Sequence, residues 1–184
     1  MSQATQTLLD ELVGNAHGNL ARVREILDEH PALLNESATW NETPIEAATQ
    51  MGNRAIIDEL IGRGAPVDFF TALVLGRIEQ VERELNADPR LAQSRGIHDL
   101  APLYFAAIGG HVNVAERLLA AGADVNAAAQ AASAIHGAVM AGSADMLRLL
   151  LDHGADASLR DYAGRDARAL ALEIKRQDLA AIFG

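Results

Sequence analysis

The chain has 184 residues, which is enough for one domain; 49% of them are hydrophobic and only 4% are aromatic. Side chains that are mostly small or branched suit short packed helices better than a twisted sheet. The formal net charge of −10 disfavours contact with phosphate backbones or anionic lipids, so we expect neither nucleic acid nor membrane partners. The absence of cysteine excludes disulfides, thiolate metal ligands and a cysteine nucleophile.

The amino-terminal residues show no secretory signal. Residues 1–13 carry Asp10 and Glu11 and lack a basic segment followed by a long apolar core. No apolar run approaches the roughly 18 residues that a membrane-spanning helix needs. We therefore expect a cytoplasmic protein, whose acidity serves solubility or attracts a basic partner.

An internal repeat is the strongest signal along the chain. Three segments begin alike, TPIEAATQMG at 43–52, APLYFAAIGG at 101–110 and SAIHGAVMAG at 133–142. Each is followed by an apolar run with helical spacing that ends in Gly-Ala, at 64–65, 122–123 and 154–155. The glycines that mark the end of each first helix are separated by 34, 24, 34 and 32 residues. These glycines are Gly18, Gly52, Gly76, Gly110 and Gly142.

The residues at the start of each segment predict where the first helices begin. Thr43 is a good N-cap, and Pro44 suits the first helical position because its missing N–H would have had no intrahelical partner. Ser133 and Asp166 can cap at equivalent positions. Ala101 cannot, which is a loss of roughly 1 kcal/mol. Each repeat is thus predicted to contain two short helices, the second ending in a left-handed glycine turn.

A period of about 33 residues built from two short helices resembles the ankyrin repeat. The segment APLYFAAIGGHVNVAERLLAAGADVN at 101–126 is its best copy, and the resemblance covers nearly the whole chain. It implies an all-α ankyrin repeat solenoid of helix-turn-helix units with short β-hairpin fingers, forming a single domain over residues 1–184. It also implies about six repeats, with the first and last acting as caps. Their expected bounds are 5–36, 37–66, 67–94, 95–126, 127–158 and 159–184.

Two departures from the repeat pattern have structural consequences. The short interval between Gly52 and Gly76 leaves no room for a hairpin, so we expect one finger to be missing near residues 66–70. Segments 30–34 and 88–92 carry a Pro-containing turn in place of the usual Gly-Ala-Asp. This variant resembles bacterial ankyrin proteins.

The resemblance implies that a partner binds on the concave surface, at finger tips and at the exposed ends of the first helices. Carried over position by position, it predicts thirteen partner-binding residues. They are Thr39, Trp40, Gln50, Met51, Leu75, Ile97, His98, Leu100, Ile108, Gln130, Met140, Tyr162 and Arg165.

Many of these predicted positions are apolar, which is unusual for side chains expected to face solvent. An exposed apolar strip normally marks an interaction site, and a lone tryptophan, Trp40, at a finger tip fits the aromatic bias of binding hot spots. The alternative is that some of these side chains, Leu75 and Ile108 in particular, fold back onto neighbouring repeats.

The sequence contains no recognisable catalytic, cofactor or metal motif. It lacks a phosphate-binding loop, a nucleophile elbow and HExxH spacing, so we expect no enzyme, no cofactor and no metal. The six histidines are better explained as structural or solvated groups. For His136, which occupies the histidine position of the Thr-Pro-Leu-His pattern, the resemblance implies a structural hydrogen bond between adjacent loops.

The leading hypothesis is a monomeric protein-protein interaction module. A sharper version is an inhibitor or immunity-like protein for a basic partner. A second class is a self-associating structural protein whose apolar strip meets another copy. A third class is an enzyme or the regulatory part of one. Standalone ankyrin repeats resemble no catalytic family, although fold alone cannot exclude a grafted catalytic site.

Overall fold

The computed structural model describes residues 2–128 and 132–184, and these residues form an all-helical structure. Twelve α-helices and four short 3₁₀-helices lie within them, and one isolated β-bridge joins Ala128 to Ser133. This confirms the predicted all-α repeat architecture. None of the described helices is both long and apolar enough to cross a membrane. The chain divides into two compact units, residues 1–71 (the first unit) and residues 72–184 (the second unit), which are described separately.

The first unit contains two complete helix pairs. Its α-helices are α1 (Gln3–Ala16), α2 (Leu20–Glu29), α3 (Pro44–Gln50) and α4 (Arg54–Gly62), with a 3₁₀-helix at Pro31–Leu33. Helix α5 (Phe69–Leu75) begins in this unit and ends in the next. The first helices α1 and α3 pack on each other, and so do the second helices α2 and α4, as expected for stacked repeats.

The second unit continues the same order of alternating first and second helices. Its α-helices are α6 (Ile78–Ala87), α7 (Pro102–Ile108), α8 (Val112–Ala120), α9 (Ala134–Ala141), α10 (Ala144–Asp152), α11 (Ala167–Glu173) and α12 (Gln177–Ala180). The 3₁₀-helices are Pro89–Gln93, Ile97–Asp99 and Ala181–Phe183. The first helices α7, α9 and α11 pack in sequence, and the second helices α6, α8 and α10 do the same.

Side chains of nearby residues cap the N-termini of first helices, as the sequence predicts. The Thr43 hydroxyl accepts a hydrogen bond from Glu46 N, and the Glu46 carboxylate accepts one from Thr43 N at 2.8 Å, forming a capping box. Asp166 accepts from Ala169 N at 2.8 Å. Ala101 provides no side-chain cap, also as predicted. The starts of α3 and α11 are therefore encoded by side chains within four residues of the cap.

The fingers are tight turns rather than extended hairpins. One backbone hydrogen bond closes each of them, joining residues 38 and 42, 96 and 100, or 161 and 165 at 2.9 Å. The bridge between Ala128 and Ser133 lies at the corresponding place in another repeat. Between α4 and α5 the structure has no such closed turn among its described residues, and Asp68 instead caps α5 by accepting from Thr71 N at 2.7 Å. The predicted missing finger is thus confirmed.

Helix α7 is the most buried element of the second unit. All its residues, Pro102 to Ile108, are buried, because α8 and α9 pack against it. A Cβ atom added to Gly137 on α9 would lie 3.1 Å from the Tyr104 carbonyl oxygen, so this glycine allows the two helices to approach closely. The predicted repeat bounds and the single-domain assignment remain predictions.

Candidate partner-binding surface

The finger of the first unit, residues 38–42, is anchored on helix α1. Thr39 donates from its backbone N–H to Asp10 Oδ1 at 2.9 Å and from its hydroxyl to Asp10 Oδ2 at 3.0 Å. Gln6 donates to the same carboxylate at 3.0 Å. The hydrogen bond from Gln6, together with those from Thr39, lowers the pKa of the Asp10 carboxyl below its usual value. Asp10 is therefore ionised at neutral pH and fixes the finger.

The side chain of Trp40 is 45% exposed, and its polar edge is held within the protein. The indole N–H donates to Glu42 Oε2 at 2.6 Å, and Glu42 is buried with only 1% exposure. Gln50 at the end of α3 donates to the other oxygen of this carboxylate at 2.7 Å. The buried carboxylate therefore links the finger tip to the end of the first helix.

His17 completes this polar cluster. Its Nδ1 lies 3.1 Å from the Val13 carbonyl oxygen and its Nε2 lies 2.7 Å from Gln50 Nε2. With Nδ1 donating to this carbonyl oxygen, Nε2 can accept a hydrogen bond from the Gln50 amide. Glu42 Oε1 lies 3.7 Å from the same Nε2 atom. The cluster contains two predicted site residues, Trp40 and Gln50, and two that the sequence analysis missed, His17 and Glu42.

Met51 caps the end of α3 and is 40% exposed, as predicted. In the second unit, Met140 near the end of α9 is 42% exposed. At the finger of residues 96–100, His98 is exposed and Ile97 is partly buried. His98 and Asp99 adopt left-handed backbone angles, with φ of 54° and 61°. The predicted residue Gln130 lies outside the described residues.

Three residues that were expected to face solvent are buried. Leu75, Leu100 and Ile108 are exposed by only 9%, 2% and 7%. Leu75 ends a helix whose residues 71–75 are all buried, and Leu100 leads directly into the buried helix α7. Ile108 lies beneath α9, since its backbone nitrogen would be 3.2 Å from a Cβ on Gly137. The expectation that these three side chains are exposed is wrong. Burial of each apolar side chain stabilises the folded state by roughly 1.5–3 kcal/mol, which favours packing against neighbouring helices over exposure.

The last finger, residues 161–165, presents the most exposed aromatic side chain among those described. Tyr162 is 81% exposed, and the Arg165 guanidinium lies over its ring at 5.8 Å from the centroid. Arg165 is held in turn by ion pairs with Asp161 and Glu173. Burial alone would raise the pKa of Asp161, but hydrogen bonds from the Arg165 side chain and from backbone amides lower it. The tip is consequently ordered although it is exposed.

His136 fixes this last finger to helix α9. Its Nε2 donates to the Arg165 carbonyl oxygen at 3.0 Å, while Nδ1 lies 2.9 Å from the Ser133 hydroxyl. The predicted structural hydrogen bond of His136 is thus confirmed. Burial lowers the pKa of the ring below its usual value, so the imidazole is neutral at pH 7.

The described residues contain no group of three or more histidine, aspartate or glutamate side chains placed to hold a metal ion. Asp10, Glu42 and His17 are the functional candidates that sequence reasoning missed. Asp10 lies 29 positions before Thr39, and His17 lies 33 positions before Gln50, so no local pattern could have paired them. Glu42 lies two residues after the lone tryptophan, and this short separation was the only local signal that could have linked it to the site.

Comparisons with known proteins agree with the repeat architecture. A sequence model described as ankyrin repeats (3 copies) matches residues 69–161, just over half of the chain. The chain is similar to alpha-latrocrustotoxin-Lt1a of Latrodectus tredecimguttatus, with 27% identity over 113 residues that cover 57% of this chain and 8% of the toxin. It is also similar to transient receptor potential cation channel subfamily A member 1 of Homo sapiens, with 29% identity over 123 residues that cover 60% of this chain and 11% of the channel subunit. The match spans about a tenth of the length of these relatives.

Proposed function

The chain belongs to the ankyrin repeat family, and from this premise we propose that it is a protein-protein interaction module. Ankyrin repeats are generally modules of this kind. The partner binds at the finger tips and at the exposed ends of the first helices, the side that the family resemblance makes concave. We place the module among binding proteins, not enzymes, and expect it to act as a monomer.

One observation carries the proposal, namely where the exposed large apolar side chains lie. Among the described residues six such side chains are exposed by 40% or more. Four of them, Trp40, Met51, Met140 and Tyr162, occupy positions that the repeat pattern assigns to partner contact. Isolated exposed apolar residues are ordinary on protein surfaces, but their concentration at the positions that the repeat pattern assigns to partner contact supports a binding role.

The two aromatic finger residues are also held in place before any partner arrives. Trp40 is fixed through its N–H on Glu42, and Tyr162 is stacked against Arg165. A partner that contacts them immobilises few additional side-chain rotamers, which limits the entropy lost on association. Aromatic residues held in this way are typical binding hot spots.

The other predicted residues are divided by the exposure of their side chains. We assign Thr39, Gln50, Ile97, His98 and Arg165 to the polar and mixed surroundings of the four apolar contacts. Leu75, Leu100 and Ile108 are buried, so we do not assign them to partner contact.

The proposal is tested by capture from a lysate of the native host, followed by mass spectrometry. The test variant is Trp40→Ala with Tyr162→Ala, and the matched control is Leu172→Ala with Ile174→Ala, which removes two other exposed apolar side chains. We expect a protein retained by the wild type and by the control, and reduced at least tenfold with the test variant. Equal capture by all three folded proteins would refute the assigned surface.

Light scattering of the purified chain distinguishes the self-association alternative. A monomer at micromolar concentration agrees with binding of a foreign partner. A dimer that dissociates in the Trp40→Ala, Tyr162→Ala variant, but not in the control variant, would mean that the same surface meets a second copy of the chain.

A further inference from the structure

We propose that the exposed ring of Trp40 is a platform for a cationic side chain of the partner, a lysine ammonium or an arginine guanidinium. This inference rests on the proposed function, because it assigns partner chemistry to one contact of the binding surface. It is carried by the geometry of the indole, by the charges fixed beside it and by the charge balance of the first unit.

The indole is partly exposed, and its polar edge is hydrogen-bonded within the protein. Its N–H is engaged by Glu42 Oε2 at 2.6 Å, so the exposed 45% of the side chain has no donor left to offer. Of the aromatic side chains, tryptophan binds cations most strongly over its ring face. A hydrogen bond from the N–H to an anion polarises the ring and increases the electron density on its faces.

Two carboxylates flank the finger tip at fixed positions. Glu42 is bonded to the Trp40 side chain, and Asp10 is bonded to the backbone and hydroxyl of the preceding residue, Thr39. The lowered pKa of Asp10 keeps its negative charge at neutral pH. A cation that approaches the ring therefore meets a favourable local potential, whereas an anion is repelled.

The negative charge of the chain is concentrated in this unit. Residues 1–71 contain eleven Asp and Glu and four Arg, with no Lys, and so hold −7 of the formal charge of −10. Each of the four arginines, Arg22, Arg24, Arg54 and Arg63, forms an ion pair with a carboxylate on α1, α2 or α4. A partner segment that carries positive charge is therefore complementary to this unit.

Tyr162 of the second unit provides the internal comparison. Its ring already has the guanidinium of Arg165 at 5.8 Å from the centroid. The structure places no guanidinium of a described residue over Trp40. One exposed finger aromatic is thus already paired with a cation from its own chain, and the other is open to a cation from outside.

The test uses a rhodamine-labelled hexa-arginine peptide and fluorescence polarisation with the full chain. The variants are Trp40→Leu, which keeps an apolar side chain and the net charge; Trp40→Phe, which keeps a weaker ring; and Glu42→Gln, which keeps an acceptor but removes the charge. Leu172→Ala is the matched control, because Leu172 is as exposed as Trp40, at 45%, and lies outside the assigned surface. We expect about fivefold weaker binding for Trp40→Leu, an intermediate loss for Trp40→Phe and a loss of about threefold for Glu42→Gln. Leu172→Ala should stay within about twofold of the wild type.

Trp40 is the only tryptophan of the chain, so its emission reports binding at the ring directly. Hexa-arginine should change this emission, whereas hexa-glutamate should leave it unchanged. Equal affinity of the wild type and Trp40→Leu would overturn the cation platform. So would a neutral Gly-Leu hexapeptide that binds the wild type as tightly as hexa-arginine does. Either result leaves the proposed function standing if the capture experiment still depends on Trp40 and Tyr162.

Discussion

Two adjacent glycines at the end of α7 allow a sharp test of how closely the first helices pack. Gly109 has a φ of −74°, which any residue adopts, but a Cβ there would lie 2.5 Å from the Val74 carbonyl oxygen and 2.9 Å from its Cα. Gly110 has a left-handed φ of +74° and no heavy atom within 4 Å of an added Cβ. Substitution by alanine therefore causes a steric clash at Gly109 and backbone strain at Gly110.

The two effects differ in size. The two nearest atoms that a Gly109 Cβ would meet belong to the backbone of Val74, a buried residue with 3% exposure that cannot rotate away. Overpacking of this kind costs about 1–3 kcal/mol, and a backbone obstacle puts Gly109→Ala near 3 kcal/mol. Placing alanine in the left-handed region at Gly110 costs about 1 kcal/mol. For a chain of this length these values correspond to losses of Tm of roughly 6–12 °C and 2–4 °C.

Thermal unfolding followed by far-UV circular dichroism measures both variants, and urea titration gives the free energy of unfolding. We expect Gly109→Ala to be the less stable of the two by about 2 kcal/mol. If Gly109→Ala matches the wild type or is more stable than Gly110→Ala, the close approach of residue 109 to Val74 does not limit packing, and the reasoning fails.

Two further predictions concern a cap and a buried histidine. Thr43→Ala should lower the free energy of unfolding by about 1 kcal/mol, because α3 loses its capping box. Thr43→Ser should retain most of this stability, since serine can form the same capping hydrogen bonds. Urea titration of the two variants measures the difference. The folded-state pKa of His136 is lowered by burial, so the unfolded state binds the proton more readily. The contribution of this neutral ring is complete above the unfolded pKa of about 6.5 and is lost as the pH falls below it. Between pH 7 and pH 5 the wild type should therefore lose more stability than His136→Gln, and parallel curves for the two proteins would contradict this assignment.

The fold was predictable because its signals are local and repeated. A cap such as Thr43 or Asp166 acts on an amide three residues away, and the apolar spacing of each second helix repeats every turn. The missing finger follows from the count of residues between Gly52 and Gly76 when it is compared with the ankyrin repeat pattern. These features depend on interactions within a single repeat, so one sequence suffices to find them.

Side-chain exposure was less predictable, because the neighbouring repeat decides it. Gln50, Ile108 and Met140 all stand seven residues after the cap of a first helix, yet Gln50 is partly buried, Ile108 is 7% exposed and Met140 is 42% exposed. Ile108 is covered because Gly137 brings α9 close to its backbone. The position within a repeat therefore predicts which residues lie near the binding surface, but the size of the facing residue determines which ones reach solvent.

The polar cluster beneath Trp40 depends on contacts that are still further apart in sequence. Read locally, Glu42 is one more carboxylate in an acidic chain and would be expected in solvent. The fold instead buries it between the indole of Trp40 and the amide of Gln50, where its two oxygens accept hydrogen bonds at 2.6 and 2.7 Å. A carboxylate at 1% exposure persists only when it is bonded in this way, since desolvation of an unpaired charge is strongly unfavourable. The position of the Trp40 ring and the negative charge beside it therefore share one cause, which is why Glu42→Gln tests the two together.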